Sequence, residues 1–359
     1  MRNKSQNKTV FAGLSGGVDS SVSAYLLKEA GYNVVGVFIK IWQSEFDKTC
    51  TWKTDRRDAM RVAAHLKIPF LTLDLSSEYK NGVISYMIDE YKAGRTPNPD
   101  VLCNKEVKFK AFLQKALELG ADFVATGHYA RVSQNPVTNL YELHKAKDSA
   151  KEQSYFLWTL TQKELSKIIF PVGSLQKRRV RSLAKKGKIP TFARPDSQGL
   201  CFVGKVDFKD FLKNYIEEKE GDVLNEKGEV IGKHPGSVFF TLGERHGFVI
   251  TAKGTDEKRL YVVAKNTDKN TITVSEEKDK KEFSKSKIAL QGTNWISGLP
   301  ERDRTYEAQI RYHGELLKVK IEEEGSKTFA FFDEAQITAP GQSIVVYSGE
   351  KCIGGGVME

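Results

Sequence analysis

The chain has 359 residues, enough for two or three domains that each bury a core. Its 40% hydrophobic and 28% charged residues exclude a fibrous or disordered class, and its net charge of +10 favours an anionic partner without specifying one. No apolar run reaches the roughly 18–20 residues that cross a bilayer, and the polar start Met1–Lys8 has no signal-peptide core; a cytoplasmic location with no membrane partner is expected.

In chain order, the apolar run Thr9–Ala12 leads into Gly13-Leu14-Ser15-Gly16-Gly17-Val18-Asp19-Ser20-Ser21 and then Val22–Ala30. That pattern predicts strand, glycine turn and helix, and the amides of such a turn and helix start form a positive pocket for phosphate. Gly16 and Gly17 allow backbone conformations that a Cβ forbids. No Gly-Lys-Ser/Thr follows, which excludes a Walker loop. Asn33–Ile39, Ile68–Asp74 and Asp122–Gly127 read as buried strands, and Asp55–Leu66, Tyr79–Tyr91 and Glu106–Leu119 as helices. Continuously apolar strands between helices imply an α/β parallel sheet covered on both faces. Ligands of such sheets bind at the carboxyl ends of strands, where both residues 13–21 and Gly127-His128 fall.

Residues 155–190 read as helical and basic, with Lys177, Arg178, Arg179, Arg181, Lys185, Lys186 and Lys188 unaccompanied by any acid between Leu175 and Pro190. Such a run is either a solvated helix face or a phosphate contact. A short helix is predicted over Val206–Tyr215. From Gly221 onward glycine turns and β-rich runs take over, as in Val238–Thr241 and Leu260–Val263. Glu276–Lys287 reads as a linker, and the alternating runs Tyr306–Ile321 and Thr328–Val357 as a small β-barrel. The expected division is 1–205, a catalytic domain; 206–280, a small mixed or β domain; and 281–359, the barrel.

None of the four cysteines, Cys50, Cys103, Cys201 and Cys352, forms a Cys-x-x-Cys or zinc spacing. Cys103 follows Thr96-Pro97-Asn98-Pro99-Asp100; the prolines bar a helix before Pro99, so one is expected to begin between Asp100 and Glu106. A thiol near a helix start beside Lys105 and Lys108 should have a lowered pKa. Cys201 lies between Gly199 and Gly204 in Asp196-Ser-Gln-Gly-Leu-Cys-Phe-Val-Gly. The residues alone leave both thiols open to two readings, reactive or buried and inert. Cys50 and Cys352 read as structural, His65 as a helix-surface residue, and Trp42, Trp52 and Trp158 as core.

The segment Ser-Gly-Gly-Val-Asp-Ser resembles the pyrophosphate loop of ATP pyrophosphatases, adenine nucleotide hydrolase-like folds that adenylate a carbonyl oxygen and release pyrophosphate. Together with Thr-Pro-Asn-Pro-Asp…Cys-Asn, Ala-Thr-Gly-His-Tyr-Ala (125–130), Lys-Glu-Gln-Ser-Tyr-Phe-Leu (151–157), Asp-Ser-Gln-Gly-Leu-Cys, Phe-Thr-Leu-Gly-Glu-Arg-His-Gly (240–247), Pro-Gly-Gln (340–342) and Cys-Ile-Gly-Gly-Gly (352–356), it makes nearly the whole chain similar to the tRNA-specific 2-thiouridylase family. The resemblance implies ATP-dependent sulfur transfer to the tRNA wobble uridine, with release of AMP and pyrophosphate. It implies that Gly13, Leu14, Ser15, Gly16, Gly17, Val18, Asp19 and Ser20 hold ATP, with Ile39 and Gly127 lining the adenosine pocket. Asn98, Pro99 and Asp100 would meet the target base, and His128, Lys151, Glu152, Gln153, Arg311, Tyr312 and Gln342 would meet tRNA. Cys103 would act as nucleophile or acid and Cys201 would carry a persulfide, the two ending as a disulfide. Implied partners are tRNAs for Lys, Glu and Gln and a persulfide donor or relay protein, and Mg²⁺ is expected, with Asp19 a suitable carboxylate.

Three departures stand out. Glu152 replaces an Asp of many relatives, and Glu244-Arg245 replaces the more usual Gln-Arg. Asp100 stands where some relatives have Cys, which disfavours an iron–sulfur cluster. Two other readings remain at this level. A pyrophosphate-loop synthetase or amidotransferase acting on a small-molecule carbonyl explains the loop, yet leaves the thiols and the basic run idle. A non-catalytic RNA-binding protein leaves the intact loop unexplained.

Overall fold

The computed structural model describes residues 7–44, 52–196, 208–251, 259–277 and 284–359. Cys50 and Cys201 lie outside the described residues, as do residues 197–204 of the Asp-Ser-Gln-Gly block. The first part of the chain runs β1 (Thr9–Gly13), α1 (Val18–Glu29), β2 (Asn33–Lys40), α2 (Trp52–Leu66) and β3 (Phe70–Asp74). Two long helical runs follow. The first, α3, joins Ser76–Tyr79 through a π-wound stretch, Lys80–Ser85, to Tyr86–Lys92. The second, α4, joins Pro99–Leu102 through π-wound Cys103–Phe112 to Leu113–Glu118. Then come β4 (Phe123–Ala125), β5 (Ala130–Gln134), β6 (Tyr141–Lys145), α5 (Gln162–Leu165), β7 (Ile168–Ile169) and α6 (Lys177–Lys186).

Strands order as β3-β2-β1-β4-β7, every neighbouring pair parallel, as the apolar runs predict. The sheet buries Val10, Phe11, Ala12, Val37 and Val124, and α2 covers one face with the expected Ala59, Val62, Ala63 and Leu66. Strands β1 and β4 are neighbours, so their carboxyl ends lie side by side.

A second sheet follows α7 (Phe208–Lys213): β8 (Gly221–Leu224), β9 (Val230–His234), β10 (Val249–Ile250), β11 (Tyr261–Asn266) and β12 (Thr271–Ser275), in the order β10-β9-β8-β12-β11. The C-terminal part holds β13 (Lys285–Trp295), β14 (Tyr306–Gln309), β15 (Leu317–Glu324), β16 (Lys327–Gln336), β17 (Ser343–Ser348) and β18 (Lys351–Met358). These close into a six-stranded barrel because β18 pairs with both β17 and β13. The run Gly354-Gly355-Gly356 makes that double pairing possible. A Cβ on Gly354 would lie 2.0 Å from the Asn294 carbonyl oxygen and one on Gly355 2.3 Å from that of Ile344.

Three expectations are corrected. Residues 155–190 are not one helical region: a 3-10 turn (Ser154–Leu157), the four-residue α5, strand β7 and α6 divide it. Its aromatics sit at helical spacing but are used to dock the barrel. Trp158 Nε1 donates to Ser343 Oγ (3.1 Å), the Tyr155 hydroxyl donates to the Ser343 carbonyl (3.0 Å), and Asn294 Nδ2 donates to the Trp158 carbonyl (2.7 Å). Val238–Thr241 is not a strand; Ser237–Phe239 forms a 3-10 turn whose Phe239 and Phe240 are buried. The linker expected over Glu276–Lys287 ends earlier, because β13 already begins at Lys285. The hairpin β5–β6 was not foreseen either: it extends the barrel sheet through Cys352↔Leu143 and Lys351↔His144. Trp158 is 2% exposed at this seam. Trp158→Ala should cost about 3–5 kcal/mol by cavity formation and lost bonding, read as a lowered urea midpoint; an unchanged midpoint would show that the seam adds little to stability.

Candidate active site

The loop after β1 is held by its own serines. Ser15 N–H donates to Ser20 Oγ (3.2 Å), the Ser15 and Ser20 hydroxyls are 3.1 Å apart, and Ser21 Oγ donates to the Gly17 carbonyl (2.7 Å). No side chain caps α1 at Gly17, and the positive end of the helix lies at the end of this loop. Gly16 has φ +78°, and a Cβ there would lie 2.7 Å from the Asp55 carbonyl oxygen. Arg194 braces this side of the loop: its Nη1 donates to the Gly16 carbonyl (3.3 Å) and to Asp58 (3.0 Å), and its Nη2 pairs with Asp55. Gly127, after β4, approaches the start of α1 closely; a Cβ there would lie 2.7 Å from Ser20 N. The two strand ends therefore share one cradle, and only glycine fits at its narrowest point. The chain contributes amides and a helix end here, a donor set that suits a polyphosphate.

An ion network lies beside the cradle. Lys177 Nζ donates to both Asp19 oxygens (2.7 Å each) and pairs with Asp196 Oδ1 at 2.8 Å. Asp196 also accepts from Lys151 Nζ (2.7 Å) and Arg181 Nη2 (2.6 Å). The Tyr129 hydroxyl donates to Asp19 (2.8 Å), and the Tyr129 backbone exchanges bonds with Gln153: its N–H donates to Gln153 Oε1, and Gln153 N–H donates to its carbonyl (both 2.9 Å). Burial raises the Tyr129 pKa, and Asp19 raises it further, so the phenol stays protonated. Asp19 is thus engaged by an ammonium and a phenol, and a direct metal bond to it would have to displace Lys177. The basic run divides: Lys177 and Arg181 turn inward, while Arg178, Arg179, Lys185, Lys186 and Lys188 are exposed.

Cys103 lies in the second turn of α4, which begins at Pro99, one residue before the expected range of Asp100 to Glu106. Asn98 Oδ1 caps this helix, accepting from Asp100 N and Val101 N (3.2 Å each). The Cys103 side is buried, 5% exposed. Asp100 beside it has a raised pKa because burial outweighs the attraction of Lys108. Lys108 Nζ donates to Asn104 Oδ1 (3.0 Å) and lies 3.5 Å from His128 Nε2. The other ring nitrogen of His128 meets Thr126 Oγ1 at 2.7 Å. Burial, and then Lys108, push the His128 pKa well below its ordinary value, so the ring is neutral at pH 7. Asn104 Nδ2 also donates to the Phe156 carbonyl (3.1 Å). The helix of Cys103 is therefore joined to Gly127 through Lys108 and His128.

The other expected tRNA-facing residues divide into exposed and internally bonded ones. Arg311 is exposed. The Tyr312 hydroxyl donates to the Glu152 carbonyl (2.9 Å), its ring lies 4.3 Å from that of Phe156, and burial lifts its pKa to about 12. Burial also raises the Glu152 pKa, although its carboxylate accepts from Ser154 N at 2.6 Å. Gln342 Nε2 donates to the carbonyls of Thr96 (2.8 Å) and Pro97 (3.2 Å). Ile39 is half-buried at the end of β2. His65 is on the α2 surface, 2.7 Å from the Gly187 carbonyl oxygen, and Cys352 is fully buried in β18. Glu244 pairs with Lys209 at 2.5 Å. Sequence reasoning missed Tyr129, Lys177, Arg194 and Asp196 as site residues. Tyr129 and Asp196 lay inside quoted motifs, but their partners lie outside those motifs, 15 to 110 residues away.

Family models match the chain in three consecutive parts. Residues 8–205 match a family model described as a tRNA methyl transferase HUP domain, residues 209–276 a tRNA methyl transferase PRC-barrel domain, and residues 285–358 an aminomethyltransferase beta-barrel domain. A tRNA-specific 2-thiouridylase MnmA of Bacillus velezensis is 42% identical over 100% of this chain and 97% of that protein. Its counterpart in Hahella chejuensis is 43% identical over 99% of this chain and 98% of that protein. The domain descriptions mention methyl transfer, while these full-length relatives are named for thiolation; likeness along both whole chains outweighs a domain label.

The ion network makes its own prediction. Burial alone would raise the Asp196 pKa, but bonds from Lys151 and Lys177 hold it well below the usual carboxylate range. A depressed native pKa gives stability that is present at neutral pH and is lost as pH falls below about 4. Asp196→Asn should cost about 1–2 kcal/mol at pH 7, with the gap to wild type narrowing below pH 4 in urea titrations; a gap independent of pH would contradict the network.

Proposed function

The chain belongs to the tRNA-specific 2-thiouridylase family, and from that premise we propose how its residues divide the work of a tRNA-uridine 2-sulfurtransferase. The substrate position is the wobble uridine. ATP binds at Gly13–Ser20 with Ile39 and Gly127 beside the adenosine, and supplies the activation that makes the uracil 2-oxygen a leaving group. Mg²⁺ is carried in with the phosphates, since Asp19 already holds Lys177. The domain division 1–205, 206–280 and 281–359 assigns this chemistry to the first unit and RNA support to the barrel.

One observation carries the reading: the phosphate cradle and the Cys103 helix meet through Gly127, His128 and Lys108. Asn98, Pro99 and Asp100 begin that helix, so a base bound over its first turn lies beside Cys103. Cys201 follows Asp196, a member of the network at Lys177 and Asp19, by five residues in the sequence. The outer sulfur of a Cys201 persulfide passes to uracil C2 as the oxygen leaves with AMP. Cys103 bonds to the inner Cys201 sulfur, so the two cysteines are oxidised by two electrons while the transferred sulfur is reduced by two. A reductant then restores the thiols. Direct attack by the persulfide and prior release of hydrosulfide give the same balance.

Arg311, Lys151 and the exposed face of α6 provide cations for the tRNA backbone. Arg178, Arg179, Lys185, Lys186 and Lys188 form no ion pair with another described residue. Family analogy names tRNAs for Lys, Glu and Gln as substrates and a persulfide relay protein as donor.

Sulfur incorporation into a tRNA transcript, with ATP and a persulfide donor, tests the assignment. Cys103→Ser and Cys201→Ser should each abolish transfer and leave ATP binding intact; continued transfer by either variant rejects its role. Neutralising Arg179, Lys185 and Lys186 together should flatten the salt dependence of tRNA affinity by about 2 units of log–log slope. An unchanged slope would remove α6 from the interface.

A further inference from the structure

The turn that precedes the Cys103 helix cannot hold itself. Pro97 and Pro99 have no N–H, so Thr96–Pro99 has few donors of its own, while its carbonyls still need partners in a buried setting. Thr96 is buried, and its three polar groups reach two places, the barrel and the middle region. Its N–H donates to the Pro340 carbonyl of the barrel (2.7 Å), its carbonyl accepts from Gln342 Nε2 (2.8 Å), and its hydroxyl meets Thr241 Oγ1 of the middle sheet region (3.1 Å). The same Gln342 amide reaches the Pro97 carbonyl at 3.2 Å.

The barrel side of this junction is held by backbone hydrogen bonds within the barrel. Gly341 N–H donates to the Met358 carbonyl, and Met358 N–H donates to the Gln342 carbonyl, both at 2.9 Å. Gly341 has φ +92°, and a Cβ on it would lie 3.0 Å from the N, C and O atoms of Thr96. The contact is thus backbone against backbone, with one side-chain amide bridging the two carbonyls that lead into Asn98, the cap of the Cys103 helix.

We propose that Gln342 is a positioning residue for sulfur transfer: its amide nitrogen sets the direction in which the Thr96–Pro97 turn delivers Asn98, Pro99 and Cys103. The barrel thereby fixes the angle of the thiol-bearing helix, at a distance from the reacting atoms. This inference rests on the assignment of Cys103 as a reacting thiol.

The test compares Gln342→Glu and Gln342→Leu with wild type by single-turnover thiolation at saturating tRNA, tRNA affinity, and alkylation of Cys103 by iodoacetamide followed by peptide mass spectrometry. Both variants should lower the single-turnover rate about tenfold, keep tRNA affinity within about twofold, and speed Cys103 alkylation several-fold. The introduced acid can donate only when protonated, so Gln342→Glu should regain rate relative to wild type as pH falls, whereas Gln342→Leu should not. Gly341→Ala, which presses on Thr96 and leaves the amide intact, should show the same loss of rate and serves if the Gln342 variants do not fold. A fall in tRNA affinity with an unchanged saturated rate, or no change in Cys103 alkylation, overturns the proposal. Alkylation is read without any thiolation, so it fails or succeeds independently of the Cys103 assignment; that assignment falls if Cys103→Ser still transfers sulfur.

Discussion

The close approach of Gly127 to the start of α1 is the constraint on which the site depends. Adjacent parallel strands β1 and β4 end side by side, and the absent side chain at Gly127 lets the second strand end come against Asp19 and Ser20. Everything that follows β4 is then placed relative to the phosphate cradle. His128 reaches the Cys103 helix, Tyr129 reaches Asp19, and Gln153 fixes Tyr129 from behind. A methyl group at residue 127 would separate these parts before it altered any catalytic atom.

The same economy governs the charges. Lys177 is shared by Asp19 in the loop and Asp196 at the head of the segment that leads to Cys201, and Lys151 shares Asp196 from a third direction. These groups are partly buried and mutually paired, so they order the cradle and leave its anion affinity to backbone amides and the helix end. The barrel fastens to this unit through the Trp158 plug, the Thr96 turn and the β5–β6 hairpin, among other contacts. It therefore shapes the site although it supplies none of the cradle.

What the sequence made legible was local. Apolar runs gave the parallel strands, the four apolar residues of α2 gave its buried face, and the prolines near Cys103 gave the helix start to within a turn. What it hid was pairing over distance. Nothing in residues 130–145 announces a hairpin that joins a barrel 200 residues later, and the Lys177–Asp19 bond spans 158 positions. The aromatics of 155–158 have helical spacing yet serve as a plug, because docking against the barrel outweighs local preference. The roles of Cys103 and Cys201 came from resemblance, since no spacing rule links two single thiols 98 positions apart in sequence.

The central claim is that one cradle serves both nucleotide and thiol chemistry, and that one turnover joins the two motif cysteines. The most direct measurement is peptide mapping after a single turnover without reductant, starting from persulfide-loaded protein, ATP and a tRNA transcript. The account predicts one Cys103–Cys201 linked peptide pair per thiolated uridine formed. Thiolated tRNA accompanied by two unlinked cysteines would contradict it.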